Sequence, residues 1–306
     1  NFENVKGSDT ADRIKGDRNN NILEGNGGDD LMLASAGNDT YTFGPGKDTI
    51  DYSRLNTSIS LVRGGTVDKG SLGTDTFTDF YSTIKASNSN SDWIDGLTGG
   101  GQIASLNADL SANSLDISGI PGTGNISVKV QNFENVKGSD TADRIKGDRN
   151  NNILEGNGGD DVIISIGGKD IIDGGSGDDK ITVLASDGAS ITTGSGKDTV
   201  FITNQYWQNA TQETSEVISI NDFKAGKYGD FLDLADLFQK EGCLDKAKRV
   251  APGYLTLEVV GDDIALNFDK DGSDGNKFQE VSIAFLRGAD RSKLNRYNFN
   301  NFFTQE

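Results

Sequence analysis

Between Gly156 and Thr182 the chain reads GNGGDDVII, SIGGKDIID and GGSGDDKIT, three consecutive blocks of nine residues. Each block opens with small residues, places an Asp sixth and places an aliphatic residue eighth: Asp161 and Ile163, Asp170 and Ile172, Asp179 and Ile181. A carboxylate is a hard oxygen donor, and calcium, which takes about six to eight oxygen ligands, is the cation it suits best. Glycine allows the positive backbone dihedrals of a tight turn and leaves carbonyl oxygens free to point at an ion. The chemistry on offer is cation binding.

Such donors need elements that hold them in register. The x-U-x triplet after each Asp reads as a very short strand, its aliphatic side chain inward and its two neighbours outward. Two blocks make one full coil, so turns about 18 residues apart stack on the same edge. Asp143, Asp161 and Asp179 then line one edge, and Asn152 and Asp170 the other. Without a cation such a column of carboxylates repels itself, and the roll is expected not to close.

The block Gly174 to Thr182 fits G-G-x-G-x-D-x-U-x at every defined position, the nonapeptide of a calcium-binding parallel β-roll. Gly- and Asp-rich stretches also mark ordinary loops, but a run in constant register argues against that. The chain resembles RTX (repeats-in-toxin) proteins, which type I secretion systems export from Gram-negative bacteria and cyanobacteria. The resemblance implies several calcium ions, each between turns one coil apart. One turn gives the carbonyls of its second and fourth residues plus its Asp. The other gives the carbonyls of its first and third residues plus its Asp. Carried onto this chain, the best site is Asn157, Gly159 and Asp161 facing Gly174, Ser176 and Asp179, in turns that also contain Gly156, Gly158, Gly175 and Gly177. The other implied ligand turns are Ser8, Thr10 and Asp12; Gly25, Asn26, Gly27, Gly28 and Asp30; Ser139, Thr141 and Asp143; and Ser165, Gly167 and Asp170. Asp39, Asp48 and Asp198 hold the sixth position of their own blocks.

Composition agrees with this chemistry and excludes others. Forty glycines and only 3 prolines in 306 residues point to many turns without Pro-rich disorder. A hydrophobic fraction of 34% is low for a packed globule but enough for the thin core of a solenoid. The net charge of −18 argues against partners such as nucleic acid or anionic membrane, and for a bound cation. With no His, the chain has no Ser-His-Asp or Cys-His catalysis and none of the usual zinc or non-haem iron sites. Its single Cys243 permits no internal disulfide and reads as a small buried apolar residue. No 18-residue apolar run is present, so no helical membrane span is expected.

Asn1 to Asp30 and Asn132 to Asp161 are the same thirty residues without one change, offset by 131. The simplest account predicts a tandem array of 131-residue units of which this chain is the C-terminal piece. From Gly7 a degenerate nonapeptide register runs through Asp12, Asn21, Asp30, Asp39 and Asp48, with Ile14, Leu23, Met32, Tyr41 and Ile50 as the core stack. Asn21 lowers the charge of its site, so weaker binding is expected there. The organisation read from these features is a β-roll block over 1–51, a widened β-solenoid segment with long loops over 52–131, a second β-roll block over 132–203, and a C-terminal domain over 204–306.

In the widened segment SISLV (58–62), SLDIS (114–118) and NISVKV (125–130) read as strands. Phe80, Tyr81 and Trp93 read as core of the wider coils rather than as a sugar-stacking platform. Near Thr182 the register falters, with Ile191 one residue late, which reads as the end of the roll. The C-terminal stretch VISINDFKAGKYGDFLDLADLF resembles the target domain of type I secretion substrates, which implies an uncleaved export signal. Asp233 to Lys240 suits a short amphipathic helix, followed by alternating strands LTLEV and DIALNF. The acidic loop from Asp269 lacks Gly at its sixth position and reads as a hairpin turn rather than an EF-hand. The expected fold is all-β: calcium-bound parallel β-roll blocks joined by wider β coils, with a C-terminal β-rich cap containing a short helix.

No catalysis is expected in these residues, which contain no G-x-S-x-G and no H-E-x-x-H. The expected role is a secreted or cell-surface calcium-binding structural module that folds after type I secretion, a stiff spacer or assembly element of an adhesin, surface layer or filament. Its partners would be the secretion machinery, and self-association or cell-surface polysaccharide contact stays open. The alternatives are the calcium-binding and secretion module of a secreted protease, lipase or polysaccharide-modifying enzyme, and a calcium-dependent sugar-binding module.

Overall fold

The nine-residue beat dictates very short strands, and strands of three or four residues are what the roll contains. In the computed structural model, residues 3–62, 65–79, 83–96, 105–120, 124–184, 188–203, 217–236, 255–268, 281–295 and 298–299 are described. They form two compact units, Asn1–Ile145 and Lys146–Glu306.

In the first unit, alternate triplets go to alternate sheets. Asn4–Lys6, Ile22–Glu24 and Thr40–Thr42 pair in parallel in one sheet, with Val5 opposite Leu23 and Leu23 opposite Tyr41. Arg13–Lys15, Leu31–Leu33 and Thr49–Asp51 do the same in the other, with Ile14, Met32 and Ile50 in line. Every eighth-position side chain from Ile14 to Ile50 is buried, and its strand neighbours are mostly exposed or half-buried. The period of two along each triplet therefore decides which side faces the core.

Beyond Tyr52 the widening takes the form of antiparallel meanders set into the parallel sheets. In one sheet Ser60–Val62, Thr66–Asp68 and Thr74–Phe77 run antiparallel, and the flanking pairs, Thr40–Thr42 with Thr74–Phe77 and Ser60–Val62 with Trp93–Asp95, stay parallel. In the other sheet Ser105–Asp109, Ser114–Ile120 and Gly124–Gln131 form a second meander, joined in parallel to Thr83–Lys85. The reversal at 110–113 is a 3₁₀ turn in which the Asp109 carboxylate accepts the Ala112 N–H at 2.9 Å and Asn113 takes the left-handed conformation with φ 56°. SLDIS and NISVKV lie wholly in strands, and SISLV does so over Ser60–Val62. Trp93 is half-buried in Trp93–Asp95, whereas Phe80 and Tyr81 fall outside the described residues.

In the second unit Leu154, Ile172, Ile191 and Ile220 line up in one sheet, and Ile163, Ile181, Val200 and Leu232 in the other, all buried. Parallel pairing continues past residue 203: Ile218–Ile220 follows Ser190–Thr192, and Phe231–Asp233 follows Thr199–Ile202. The hairpin of Leu255–Val260 and Asp263–Phe268 packs antiparallel on Val281–Leu286, which pairs in parallel with Ile218–Ile220. Asp233 ends a strand and Ala235 and Asp236 are helical, while 237–240, Cys243 and the acidic loop 269–280 lie outside the described residues. Among the described residues no helix is long and apolar enough to cross a membrane.

Adjacent residues of one triplet carry opposite burdens. Ile172 is 1% exposed and Ile171 is 55% exposed. In calcium-saturated protein, Ile172→Ala is expected to cost about 2 to 5 kcal/mol in denaturant unfolding, and Ile171→Ser less than about 0.5. Equal losses would mean that the triplets do not share one apolar core.

Candidate metal centre

Most sixth-position carboxylates are tied into the coil before them. Asp30 Oδ1 accepts the backbone N–H of Asp12 at 2.9 Å, and Asp48 Oδ1 that of Asp30 at 2.8 Å. On the other edge of the first unit, Asp39 accepts from Asn21 at 2.9 Å and Asp75 from Asp39 at 3.1 Å. In the second unit the ladder runs from Asp161 N–H to Asp179 at 2.8 Å, Asp179 to Asp198 at 3.0 Å, and Asp198 to Asp230 at 3.2 Å. Asn152 donates to Asp170 at 2.9 Å on its opposite edge. Asp12, Asp30 and Asp48, Asn21 and Asp39, Asp161 and Asp179, and Asn152 and Asp170 thus stack in columns as expected, and Asp75 and Asp230 extend the columns beyond the expected residues.

The ladder consumes one oxygen of each carboxylate, so the fate of Oδ2 distinguishes the turns. Asp30, Asp179 and Asp198 bury that oxygen with no hydrogen-bond partner. A buried carboxylate oxygen of this kind calls for a partner, because leaving it unpaired costs more than most folds tolerate, and a cation is the partner that also offsets its charge. The surroundings match. A Cβ placed on Gly174 would lie 2.6 Å from Asp179 Oδ2 and 2.4 Å from the Thr193 carbonyl oxygen. One on Gly25 would lie 2.2 Å from Asp30 Oδ2 and 2.5 Å from the Phe43 carbonyl. In both turns a carboxylate and a carbonyl from the next coil converge on one point. Among the described residues no three carboxylate or thiol side chains cluster as a metal site, so the donor set here mixes carboxylates with main-chain carbonyls. Those oxygens suit calcium.

In the turn 156–161 the Asn157 carbonyl accepts from Ser176 N–H and the Ser176 carbonyl from Gly159 N–H, both at 2.8 Å, each oxygen keeping a second lone pair for an ion. Asn157 and Gly159 take left-handed φ values of 70° and 101°. Gly177 has φ 131°, and a Cβ there would strike the Gly159 carbonyl at 2.1 Å, so only glycine allows the coils this close. The Gly25–Gly28 turn repeats the plan, with Asn26 at φ 73° and Gly28 at 106°. Gly27 N–H reaches the Ser8 carbonyl at 3.3 Å.

The remaining expected ligand turns close differently. Ser8 Oγ donates to Asp12 Oδ2 at 2.8 Å and Ser139 Oγ to Asp143 Oδ2 at 2.9 Å, each hydroxyl also lying 3.0 Å from the hydroxyl of Thr10 or Thr141. Ser165 Oγ donates to Asp170 Oδ2 at 2.5 Å, in the turn that contains Gly167. At Asn21 and Asn152 the amide oxygen accepts the N–H of Asp17 or Asp148, at 2.8 and 2.9 Å. Asp39 Oδ2 accepts from Ser35 Oγ at 2.9 Å and faces the buried Lys69 at 3.8 Å.

Two sets of functional residues lie outside the sequence expectations. Fifth-position side chains build an outer ladder: Asn20 accepts from Asn38 N–H, Asn38 from Thr74 and Asp160 from Asp178, each at 2.8 Å. The recurrence of Asn or Asp at position five carried that signal. Asp79 takes the N–H groups of Phe43 and Gly44, both at 2.8 Å, and Asp222 those of Thr193 and Gly194 at 2.7 and 2.8 Å. Both precede a Phe in a D-F pair, a signal present in the sequence at 79–80 and 222–223.

The family of RTX calcium-binding nonapeptide repeats matches this chain in four copies, over residues 6–41, 137–165 and 166–187. These runs are RTX calcium-binding repeats. Comparison with curated proteins gives no match. Among solved structures, the chain is similar to the crystal structure of extracellular lipase LipA from Serratia marcescens, at 15% identity over 97% of this chain. The match spans 39% of the lipase chain, and at a TM-score of 0.19 it carries no argument. RTX repeats bind calcium, and the unpartnered carboxylate oxygens are where these repeats need it.

Burial pushes the carboxyl of Asp179 up to about 6, with the charges of Asp160, Asp178 and Asp173 adding to the shift, and burial pushes Asp170 up to about 6 as well. Asp198 is raised by burial and then by the facing Asp230. A folded-state value above the unfolded value near 3.8 means that the ion-free roll holds protons more tightly than the unfolded chain. Its stability is therefore greatest below about 4 and is lost as pH rises through about 6. In chelator, circular dichroism should show β structure growing as pH falls from 7 to 4.5, and calorimetry should show calcium affinity falling over the same window. A chelated chain whose order is independent of pH would refute this linkage. Asp179→Asn should weaken calcium binding by at least about tenfold, the size of effect typical of losing metal-site support, whereas Asp170→Asn, whose outer oxygen Ser165 already holds, should change it less than about twofold.

Proposed function

We propose that the chain is a calcium-folded structural module of an exported protein. The observation that carries this is the set of buried carboxylate oxygens without a partner at Asp30, Asp179 and Asp198, stacked in columns that only a cation completes. At the low calcium level of a bacterial cytosol the columns repel and the chain stays loose enough for type I export. Outside the cell calcium binds, and its binding free energy becomes folding free energy. The proposed ligands are the turns led by Asn157, Gly159 and Asp161 and by Gly174, Ser176 and Asp179, with the corresponding Gly25–Asp30 turn of the first unit.

The folded roll then acts as a stiff spacer or assembly element at the cell surface, as an adhesin, surface-layer or filament protein requires. The exact recurrence of Asn1–Asp30 at Asn132–Asp161 supports that reading, because repeated roll segments stack well and offer little room for catalytic divergence. No catalytic role is assigned to these residues, and 204–306 is proposed as the cap and secretion signal.

Far-UV circular dichroism with calcium titrated from a chelated start at neutral pH, with magnesium as control, tests the proposal. A coil-like spectrum in chelator and a cooperative rise of β signal in calcium alone are expected. A β spectrum that ignores chelator would sink the coupling of folding to calcium.

A further inference from the structure

The fully buried Lys69 lies in the only described part of the first unit where a long cationic side chain enters a turn of the aspartate columns. Its ammonium donates to the carbonyl oxygens of Ser35 and Gly37, both at 2.9 Å, and to Asp75 Oδ1. Asp39 Oδ2 is 3.8 Å away. Asp39 and Asp75 are successive rungs of one column, related as Asp179 and Asp198 are, by the N–H of the first donating to Oδ1 of the second. At Asp179 and Asp198 the outer oxygen has no partner, and at the Asp39–Asp75 step a protein cation stands among the oxygens.

The surrounding chain is built to hold that ammonium in place. Lys69 follows the strand Thr66–Asp68 and opens a 3₁₀ turn, Gly70–Leu72, that folds over residues 35–39. Gly37 N–H donates to the Leu72 carbonyl and Thr74 N–H to Asn38 Oδ1, each at 2.8 Å. Tyr52 hydroxyl donates to Asp75 Oδ2 at 2.9 Å, which completes that carboxylate. Two carbonyls two residues apart plus two carboxylates from adjacent coils form a cation site, and a charge of +1 from the chain occupies it.

We infer that Lys69 is a built-in replacement for a calcium ion: the Ser35, Gly37, Asp39 and Asp75 oxygens form a divalent-cation site that the lysine ammonium keeps permanently filled. This rung of the roll closes without metal, so the first unit holds one coil contact in chelator that the calcium-dependent rungs lack. The second unit provides a contrast. Lys224 also stands six residues before its column aspartate, Asp230, but there its main-chain N–H makes the bond to Asp230 at 2.6 Å. The Lys224 side chain is exposed and reaches the Gly194 carbonyl, leaving Asp198 Oδ2 without a hydrogen bond. A lysine at that spacing is therefore not enough; burial against both carboxylates makes the replacement.

The inference rests on the calcium reading of the neighbouring turns, and the test separates the two. Calcium bound per chain at saturation is measured by equilibrium dialysis and atomic absorption for wild type, Lys69→Ala and Lys69→Met. Terbium luminescence excited through tyrosine is the second readout, since Tyr41 and Tyr52 border the site. Lys69→Ala should bind one calcium more than wild type and show added tyrosine-sensitised terbium emission. Lys69→Met, which fills the space without charge, should gain neither and should need more calcium to fold. Equal calcium counts in wild type and Lys69→Ala would overturn the inference, as would a Lys69→Ala chain that no calcium concentration folds. If wild type bound no calcium while Lys69→Ala bound one, the proposed function would fall and this inference would stand.

Discussion

The structure depends on one hydrogen bond repeated along its edges, from the backbone N–H of one column residue to the carboxylate of the next. It fixes the register of adjacent coils, because Oδ1 can meet only one N–H. It also brings carboxylates to strand spacing. At about 4.8 Å and an effective dielectric near 20, two such charges repel by about 3 kcal/mol. The bond that aligns the coils is thus also the source of the charge that opposes their stacking. A roll with a core only one residue deep has little apolar burial to set against it, so the outer oxygens decide whether a coil closes.

That requirement sorts the turns. Oδ2 is met by a serine hydroxyl at Asp12, Asp143 and Asp170, and by serine with a lysine nearby at Asp39; at Asp30, Asp179 and Asp198 it has no partner within the protein. The identical stretches make the point locally. Ser8 with Asp12 and Ser139 with Asp143 close alike, as do Asp17 with Asn21 and Asp148 with Asn152. The same nine residues therefore settle the same turn in two units, and calcium is left to the turns at Asp30, Asp179 and Asp198, where no side-chain donor of the turn reaches Oδ2.

This is why the regular blocks were legible in the sequence and the rest was less so. Position eight reads directly as core, since a β-branched or aliphatic residue in a triplet has only one side on which to be buried. Position six reads directly as the recurring carboxylate or amide of the columns. Position five is harder to read, although Asn20, Asn38 and Asp160 act there, because a side chain that caps a backbone N–H one coil away leaves no pattern except its own recurrence. Lys69 was invisible for a stronger reason. Its role depends on a meander that folds back across the turn, and nothing in the residues around it distinguishes an inward lysine from the exposed Lys224.

The spacing of the columns shows what the fold conserves. Successive rungs in the second unit are 18, 19 and 32 residues apart, and on one edge of the first unit 18 and then 36. The extra residue before Asp198 and the meander before Asp75 are both absorbed outside the turn. Each insertion ends with an Asp returned to the same N–H. Where the nine-residue beat fails, the ladder continues, and Asp79 and Asp222 cap the first turn of the next rung in the same way. A nonapeptide count therefore underestimates the extent of the roll. The constraint on the chain is that a carboxylate arrive at each exposed N–H of the column, by whatever length of loop brings it there, and that a cation or a hydroxyl be available to meet its other oxygen.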